Sequence, residues 1–158
     1  MSFQNQFTKT TTDANLMETV HHGSAEYPFR YYYEHLAQFD FNCIDWHWHT
    51  ELEFVYVQSG TVTAWIGEKQ LELPADSGTV HFELNEGNGI MINSKILHRL
   101  QSSSDAIIPN FLFQPSFIAP QDSLIYKKYI NPVISSSLEY LVFQPDIPCC
   151  SRNRLKFV

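Results

Sequence analysis

Short apolar runs alternate with turn residues along the middle of this chain. Apolar and polar positions also alternate within a run: in residues 61–66, the side chains of Val62, Ala64 and Ile66 fall on one face of an extended strand. About eight to ten such runs follow one another at intervals of roughly eight to twelve residues, without a long helical pattern among them. This spacing predicts an all-β fold, either a sandwich or a barrel, and a jelly roll is the version that closes on itself.

The pattern changes twice, and these changes divide the chain into three parts. Residues 1–26 are mostly polar and predict an N-terminal arm, which we expect to be mobile unless it packs on a partner. Residues 27–120 carry the predicted strands and form the barrel. Residues 121–158 predict a short helix, capped by Asp122 and ended near Pro132, and then a tail.

The composition describes one globular domain. Its 158 residues are 44% hydrophobic and 15% aromatic, which is enough to bury a core. The formal net charge of -7 argues against DNA binding by this chain alone, because phosphate contacts need clustered lysine and arginine. The three cysteines do not describe a disulfide framework, and no apolar run approaches the length of a membrane span. We therefore expect a cytoplasmic protein.

One stretch carries a pattern typical of metal sites. His47 and His49 are two positions apart, so their side chains point the same way along a strand. A short turn would bring Glu53 onto a neighbouring strand that faces the same interior. Two imidazoles and a carboxylate form a set that binds Fe(II), Mn, Ni or Zn. The alternative is a strand with a polar end, followed by an ordinary buried strand.

A second stretch supports the metal hypothesis. Gly87 and Gly89 suit a tight turn, and residues 90–92 read as a short buried strand. His98 follows at the start of a further strand, where it could supply a fourth ligand. We therefore predict that one divalent metal contacts His47, His49, Glu53 and His98.

The sequence contains other polar residues that do not match either motif. Glu51 lies next to the motif, in the predicted turn, and we expect it to point to solvent. His21 and His22 lie in the polar arm, and we expect both to be exposed. His81 lies outside either motif and is interpreted as structural or exposed.

Both stretches resemble the two sequence motifs of cupins. The first motif, His-x-His-x3-Glu-x6-Gly, is complete and ends at Gly60, whereas the second lacks its usual proline. The surrounding sequence is similar to the N-terminal cupin of AraC-type transcriptional regulators over roughly residues 28–120. The segments that carry this resemblance are Trp-His-Trp-His at 46–49, Glu-Leu-Glu-Phe-Val-Tyr-Val at 51–57, Ile-Met-Ile-Asn-Ser at 90–94 and Phe-Gln-Pro-Ser-Phe-Ile at 113–118.

The resemblance implies a fold and a function. The fold is the cupin double-stranded β-helix, a jelly-roll barrel, with a short C-terminal helical segment. The function is sensing of a small-molecule effector, with a sugar as one candidate, by a domain that regulates transcription when joined to a pair of helix-turn-helix motifs. The sequence lacks a recognition-helix pattern. Aromatic residues available to contact the effector are Trp46, Trp48, Trp65, Phe82 and Phe111.

The cupin resemblance also leaves an enzyme open, since cupins include metal-dependent dioxygenases, isomerases and decarboxylases. An octahedral Zn, Ni, Mn or Fe ion on four protein ligands would keep two positions for substrate or oxygen. The sequence offers no obvious general acid or base beside the motif.

Apolar residues outside the ligand strands predict a homodimer. Residues 124–143 carry more apolar side chains than a short appendage can hide against one barrel face. The aromatic segment around Tyr31 would lie at a sheet edge, where unpaired backbone groups favour pairing. The alternative is that both stretches fold back on their own barrel.

Overall fold

The computed structural model describes residues 9–67 and 80–145. These residues form nine strands in two antiparallel sheets, joined by short turns and a few helical turns. In chain order the strands are β1 (Phe29–His35), β2 (Cys43–His47), β3 (Leu52–Tyr56), β4 (Thr61–Ile66), β5 (Val80–Asn85), β6 (Gly89–Ile92), β7 (His98–Gln101), β8 (Ile107–Phe113) and β9 (Tyr140–Phe143).

The two sheets share one apolar core. The five-stranded sheet has the order β1-β8-β3-β6-β9, and the four-stranded sheet has the order β2-β7-β4-β5. Alternate side chains of both sheets meet between them, which is why period-two patterning was informative. The fully buried members include Val62, Ile66, Leu84, Ile90 and Leu100. The fold is an all-β jelly roll, as the sequence predicted.

Short helical segments lie at the edges of the barrel. Leu36–Gln38, Asp40–Asn42 and Pro115–Phe117 are 3-10 turns, Tyr126–Ile130 is a π-helical turn, and α1 spans Asn131–Ile134. Among the described helices, none combines the length and apolar character needed to cross a membrane.

The C-terminal helical segment differs from its prediction at both ends. The Ser123 hydroxyl, rather than Asp122, accepts a hydrogen bond from the backbone N–H of Tyr126 at 3.1 Å. Pro132 does not end the helix, because it lies in the first turn of α1, where a backbone N–H is not required. The chain then adds β9 to the edge of β6.

Asn93 holds this C-terminal segment against the barrel. Its amide nitrogen donates to the carbonyl oxygens of Val133 at 3.0 Å and Leu138 at 2.7 Å. The side chain is 2% exposed and stands about where the second cupin motif usually has proline. The departure from the motif therefore has a structural role in this chain.

The described part of the N-terminal arm packs on its own barrel. Glu18 donates its backbone N–H to the carbonyl of Trp48 at 2.9 Å, and Trp48 donates in turn to the carbonyl of Leu16 at 3.0 Å. His21 is exposed as expected, but the prediction of an exposed His22 was wrong, since it is only 7% exposed. Contacts with the barrel, which sequence polarity does not reveal, bury its ring.

Gly60 and Gly87 occupy similar backbone conformations in different surroundings. Their φ angles are +85° and +86°. A Cβ on Gly60 would lie 2.8 Å from the carbonyl oxygen of Asp105, whereas the nearest atom to a Cβ on Gly87 would be the Pro145 side chain at 3.5 Å. Of these two glycines, Gly60 therefore has both a conformational and a steric requirement for glycine.

We predict that Gly60→Ala destabilises the domain more than Gly87→Ala. The Gly87 variant should lose about 1–2 kcal/mol of unfolding free energy from the left-handed conformation. The Gly60 variant should lose roughly 1–3 kcal/mol more, because the backbone at Asp105 must move. Urea unfolding of the two variants beside the parent measures the difference, and equal losses would contradict the steric argument.

Candidate metal centre

Four buried side chains from three strands and one turn converge inside the barrel. His47 ends β2 and pairs with His98 at the start of β7, His49 lies in the turn that follows β2, and Glu53 lies in β3. Their exposed fractions are 4% or less. One ligand atom from each lies within 4.8 Å of the corresponding atoms of the other three. The structure thus brings together the four residues predicted to bind metal.

The three histidines share one anchoring pattern. In each ring Nδ1 faces a backbone carbonyl oxygen, which can only accept, so Nδ1 carries the hydrogen. A neutral ring held in this way leaves the lone pair on Nε2, as metal-binding histidines require. The three bonds run from His47 to Asp45 at 2.7 Å, from His49 to Glu51 at 3.2 Å, and from His98 to Ile96 at 2.9 Å.

Glu53 faces the Nε2 atoms of two of these rings. Its Oε2 lies 3.3 Å from Nε2 of His49 and 3.0 Å from Nε2 of His98. The second distance is that of an ion pair, and His98 Nε2 makes no hydrogen bond within the described part of the chain. Burial raises the pKa of Glu53, but the two histidines outweigh it and hold the pKa well below its usual range. Glu53 is therefore a carboxylate.

The histidines differ in charge. Burial, and then the neighbouring His98, lower the pKa of His47 to about 3, so this ring is neutral at physiological pH. Burial also opposes the charge of His98, but the Glu53 carboxylate outweighs it and raises the pKa of His98. Without a metal, the Glu53 carboxylate therefore favours the protonated form of His98, whereas His47 stays neutral.

These donors fit a divalent transition metal. Ligand atoms of one ion at about 2.0–2.2 Å are at most ~4.4 Å apart, so a set within 4.8 Å needs only small side-chain adjustments. The unpartnered Nε2 of His98, the anchored Nδ1 atoms and the ionised Glu53 are all features of such sites. Three imidazoles and one carboxylate suit zinc, nickel, manganese or iron.

A small cavity lies beside the cluster, and His47 and Glu53 form part of its wall. Its volume is about 40 Å³. The arm residues Glu18 and His22 are among those that form another part of the wall. The remaining lining residues are Lys9, Thr10, Val20, Tyr32, Glu34, Phe39, Ile44, Asn110 and Leu112. The candidate metal centre therefore adjoins a pocket with mixed polar and apolar walls.

Comparison with known proteins identifies the family. Residues 26–119 match the sequence family described as the AraC-like ligand binding domain. The chain belongs to this family. Among curated proteins it is similar to YdeC of Bacillus subtilis (strain 168), an uncharacterised HTH-type transcriptional regulator, with 30% identity over 132 residues. That match covers 82% of this chain and 41% of YdeC, so the chain spans about two fifths of its relative.

Matches among solved structures include two bacterial proteins of low sequence identity. ToxT from Vibrio cholerae matches with a TM-score of 0.46 and 15% identity, covering 74% of this chain and 42% of ToxT. Oxalate decarboxylase from Bacillus subtilis, studied for its Mn(II) centres, matches with a TM-score of 0.38 and 20% identity, covering 46% and 18% of the two chains.

The aromatic residues predicted to contact the effector lie in different parts of this AraC-like domain. The guanidinium carbon of Arg99 lies over the Trp65 ring, 5.1 Å from the ring centroid. Phe111 stacks on Phe54 at 5.1 Å. Phe82 stacks on Tyr140 beside the core. Trp48 donates its indole N–H to the carbonyl of Asn15 at 2.9 Å. Trp46 is partly buried in β2. None of the five lines the cavity described above, and their role in effector binding stays a prediction.

The expectation that Glu51 points to solvent was wrong. Glu51 is 8% exposed, and the Gln114 amide donates to its carboxylate at 2.7 Å. The carboxylate also lies 3.8 Å from Nδ1 of His49. The turn after β2 is folded inward against the end of β8, a contact that local turn chemistry does not predict.

Sequence reasoning missed the polar wall of the cavity. On β1, Tyr32 and Glu34 share an inward face, and on β8, Asn110 lies between the buried Ile108 and Leu112. A polar residue at an inward position of an apolar alternation was the available signal. For Glu18 and His22 the arm offers no regular period, so sequence contained no comparable signal.

Proposed function

We propose that this chain is the effector-sensing domain of an AraC-type transcriptional regulator. Family membership gives the class of domain, and one observation supports the place of binding. A cavity inside the barrel carries buried polar groups from both the arm and the sheets, next to the four-residue cluster. Concave sites with a few convergent polar groups on an apolar wall are typical of small-molecule binding.

The arm offers a physical route from binding to regulation. The Glu18 carboxylate accepts a hydrogen bond from His22 Nε2 at 2.8 Å, and His22 Nδ1 lies 2.8 Å from the Tyr32 hydroxyl. An effector in the cavity would contact both sides of this arm–barrel junction. It would therefore change the stability of the arm's packing, and a DNA-binding half joined to the domain could respond to that change.

We also propose that His47, His49, Glu53 and His98 bind one divalent ion, with zinc, nickel, manganese and iron as candidates. A bound ion would supply a positive charge and a Lewis acid at the cavity floor, beside the effector. The chain's own residues fix the imidazole orientations, exclude bulk water and keep Glu53 ionised.

Substitution of one ligand should abolish tight metal binding. We predict that His98→Ala lowers the affinity for Zn²⁺ at least about a hundredfold, because changes even to outer partners cost 10–100-fold. His81→Ala is the matched control, since His81 is an exposed histidine on β5. Calorimetric titration of both variants tests this, and equal affinities would exclude the cluster as the site.

The effector site can be tested with a metabolite library and ligand-observed NMR. We expect at least one small molecule to bind the parent chain and to lose binding in Val20→Trp, which places an indole in the cavity wall. Val80→Trp, at an exposed edge position, should retain binding. No binder, or binders indifferent to Val20→Trp, would contradict the proposal. Recovery of converted compounds would favour the metalloenzyme alternative.

We further propose a homodimer through the C-terminal segment. Its apolar side chains include Leu124, Ile125 and Tyr129, which are 77%, 57% and 59% exposed. At the edge strand β1, Tyr31 is 48% exposed. A twofold pair that covers such surfaces should bury at least about 1,000 Å² in total.

Charges on the helical segment should dissociate the dimer. We predict that the double variant Leu124→Glu, Tyr129→Glu has the mass of one 18.3 kDa chain in light scattering, whereas the parent has twice that mass. Val80→Glu is the control on an edge strand of the other sheet and should remain dimeric. A parent mass of 18.3 kDa would show that these surfaces do not form a dimer.

A further inference from the structure

Two cavity residues form a buried pair that the metal cluster does not use. Asn110 on β8 donates its amide nitrogen to Glu34 Oε2 on β1 at 2.8 Å. Asn110 is 3% exposed, and its amide oxygen has no hydrogen-bond partner among the residues that the structure describes. A buried unpartnered oxygen is costly and is uncommon in native proteins, so it marks a place where a donor is missing.

Glu34 lacks a counter-charge. Within residues 9–67 and 80–145, no lysine, arginine or histidine lies at ion-pair distance from its carboxyl group. Burial, and then the charge of Glu53, raise the pKa of Glu34 to about 8. An added positive charge would strongly stabilise the ionised form of a carboxyl group in such surroundings.

The other ionisable groups of the cavity do not supply that charge. His22, a basic residue of the arm, already uses both ring nitrogens in contacts with Glu18 and Tyr32. Lys9 lies at the wall too, but it is exposed. Glu53 is itself negatively charged, and its carboxylate faces His49 and His98. The Glu34–Asn110 side of the cavity therefore presents oxygen atoms and no partner cation.

The size of the cavity restricts what can complete the pair. A space of about 40 Å³ compares with the roughly 10–15 Å³ needed to hold one water molecule. It accommodates a head group of a few heavy atoms. The three side-chain oxygens of Glu34 and Asn110 are too few for a calcium ion, which takes six to eight oxygen ligands.

We propose that Glu34 and Asn110 form a subsite for a cationic nitrogen head group, an amine or a guanidinium, of the effector. This inference rests on the proposed effector-sensing function and names the chemical class of the effector. One N–H of the head group donates to the Asn110 oxygen, and the positive charge pairs with Glu34. A neutral hydroxyl satisfies Asn110 but leaves Glu34 without a counter-charge, and an anion is repelled by Glu18 and Glu53.

Three probes of equal chain length separate these possibilities. They are 4-aminobutan-1-ol, butane-1,4-diol and 4-hydroxybutanoate, which are cationic, neutral and anionic at neutral pH. In ligand-observed NMR with the metal-free 158-residue chain, the amine should bind at least about tenfold more tightly than the diol, as expected for a charged hydrogen bond. The anion should bind more weakly than either.

Substitution of the pair localises the effect. Glu34→Gln keeps the shape but cannot ionise against a bound cation, so the amine should lose roughly tenfold in affinity and its advantage over the diol. Glu83→Gln, an exposed position on β5, should change neither. If Glu34→Gln lowers the melting temperature, Asn110→Ala is the second test. It should weaken the affinity for the amine by a similar factor.

The outcomes distinguish this subsite from the proposed function. Equal or tighter binding of the diol or the anion, an unchanged amine affinity in Glu34→Gln, or no amine binding to the parent would each overturn the cationic subsite. A library compound of another class that binds the cavity would leave the effector-sensing function intact. That function fails only if the library contains no cavity ligand.

Discussion

The structure depends on compensation of charge among four buried ionisable groups. A carboxylate removed from water costs several kcal/mol unless partners replace its hydration. Here Glu53 faces the Nε2 atoms of His49 and His98, and burial keeps His47 neutral. The barrel can hold this carboxylate in its interior because β2, the turn after it and β7 bring three imidazoles to Glu53 on β3.

Local backbone bonds make that convergence rigid. His47 and His98 each bond a carbonyl two residues earlier in the chain, so strand geometry itself sets the ring orientation. His49 bonds a carbonyl two residues later, in the turn that also carries the buried Glu51. The cluster therefore needs few additional side chains to keep its shape.

The sequence predicted the features that depend on period and on spacing. Strand parity placed His47 and His49 on one side, and apolar alternation predicted the two-sheet core. The features it missed depend on contacts between distant segments. His22 is buried because the arm lies across the barrel, and Glu51 is buried because Gln114 reaches it from the end of β8.

We propose that the convergent cluster is a metal centre inside an effector-binding barrel. The most direct measurement is an anomalous difference map from crystals of the chain prepared with Zn²⁺. We predict one dominant peak between the Nε2 atoms of the three histidines and the Glu53 carboxylate, at about 2.0–2.2 Å from each ligand atom. A fully occupied zinc elsewhere, with no peak at the cluster, would contradict the claim.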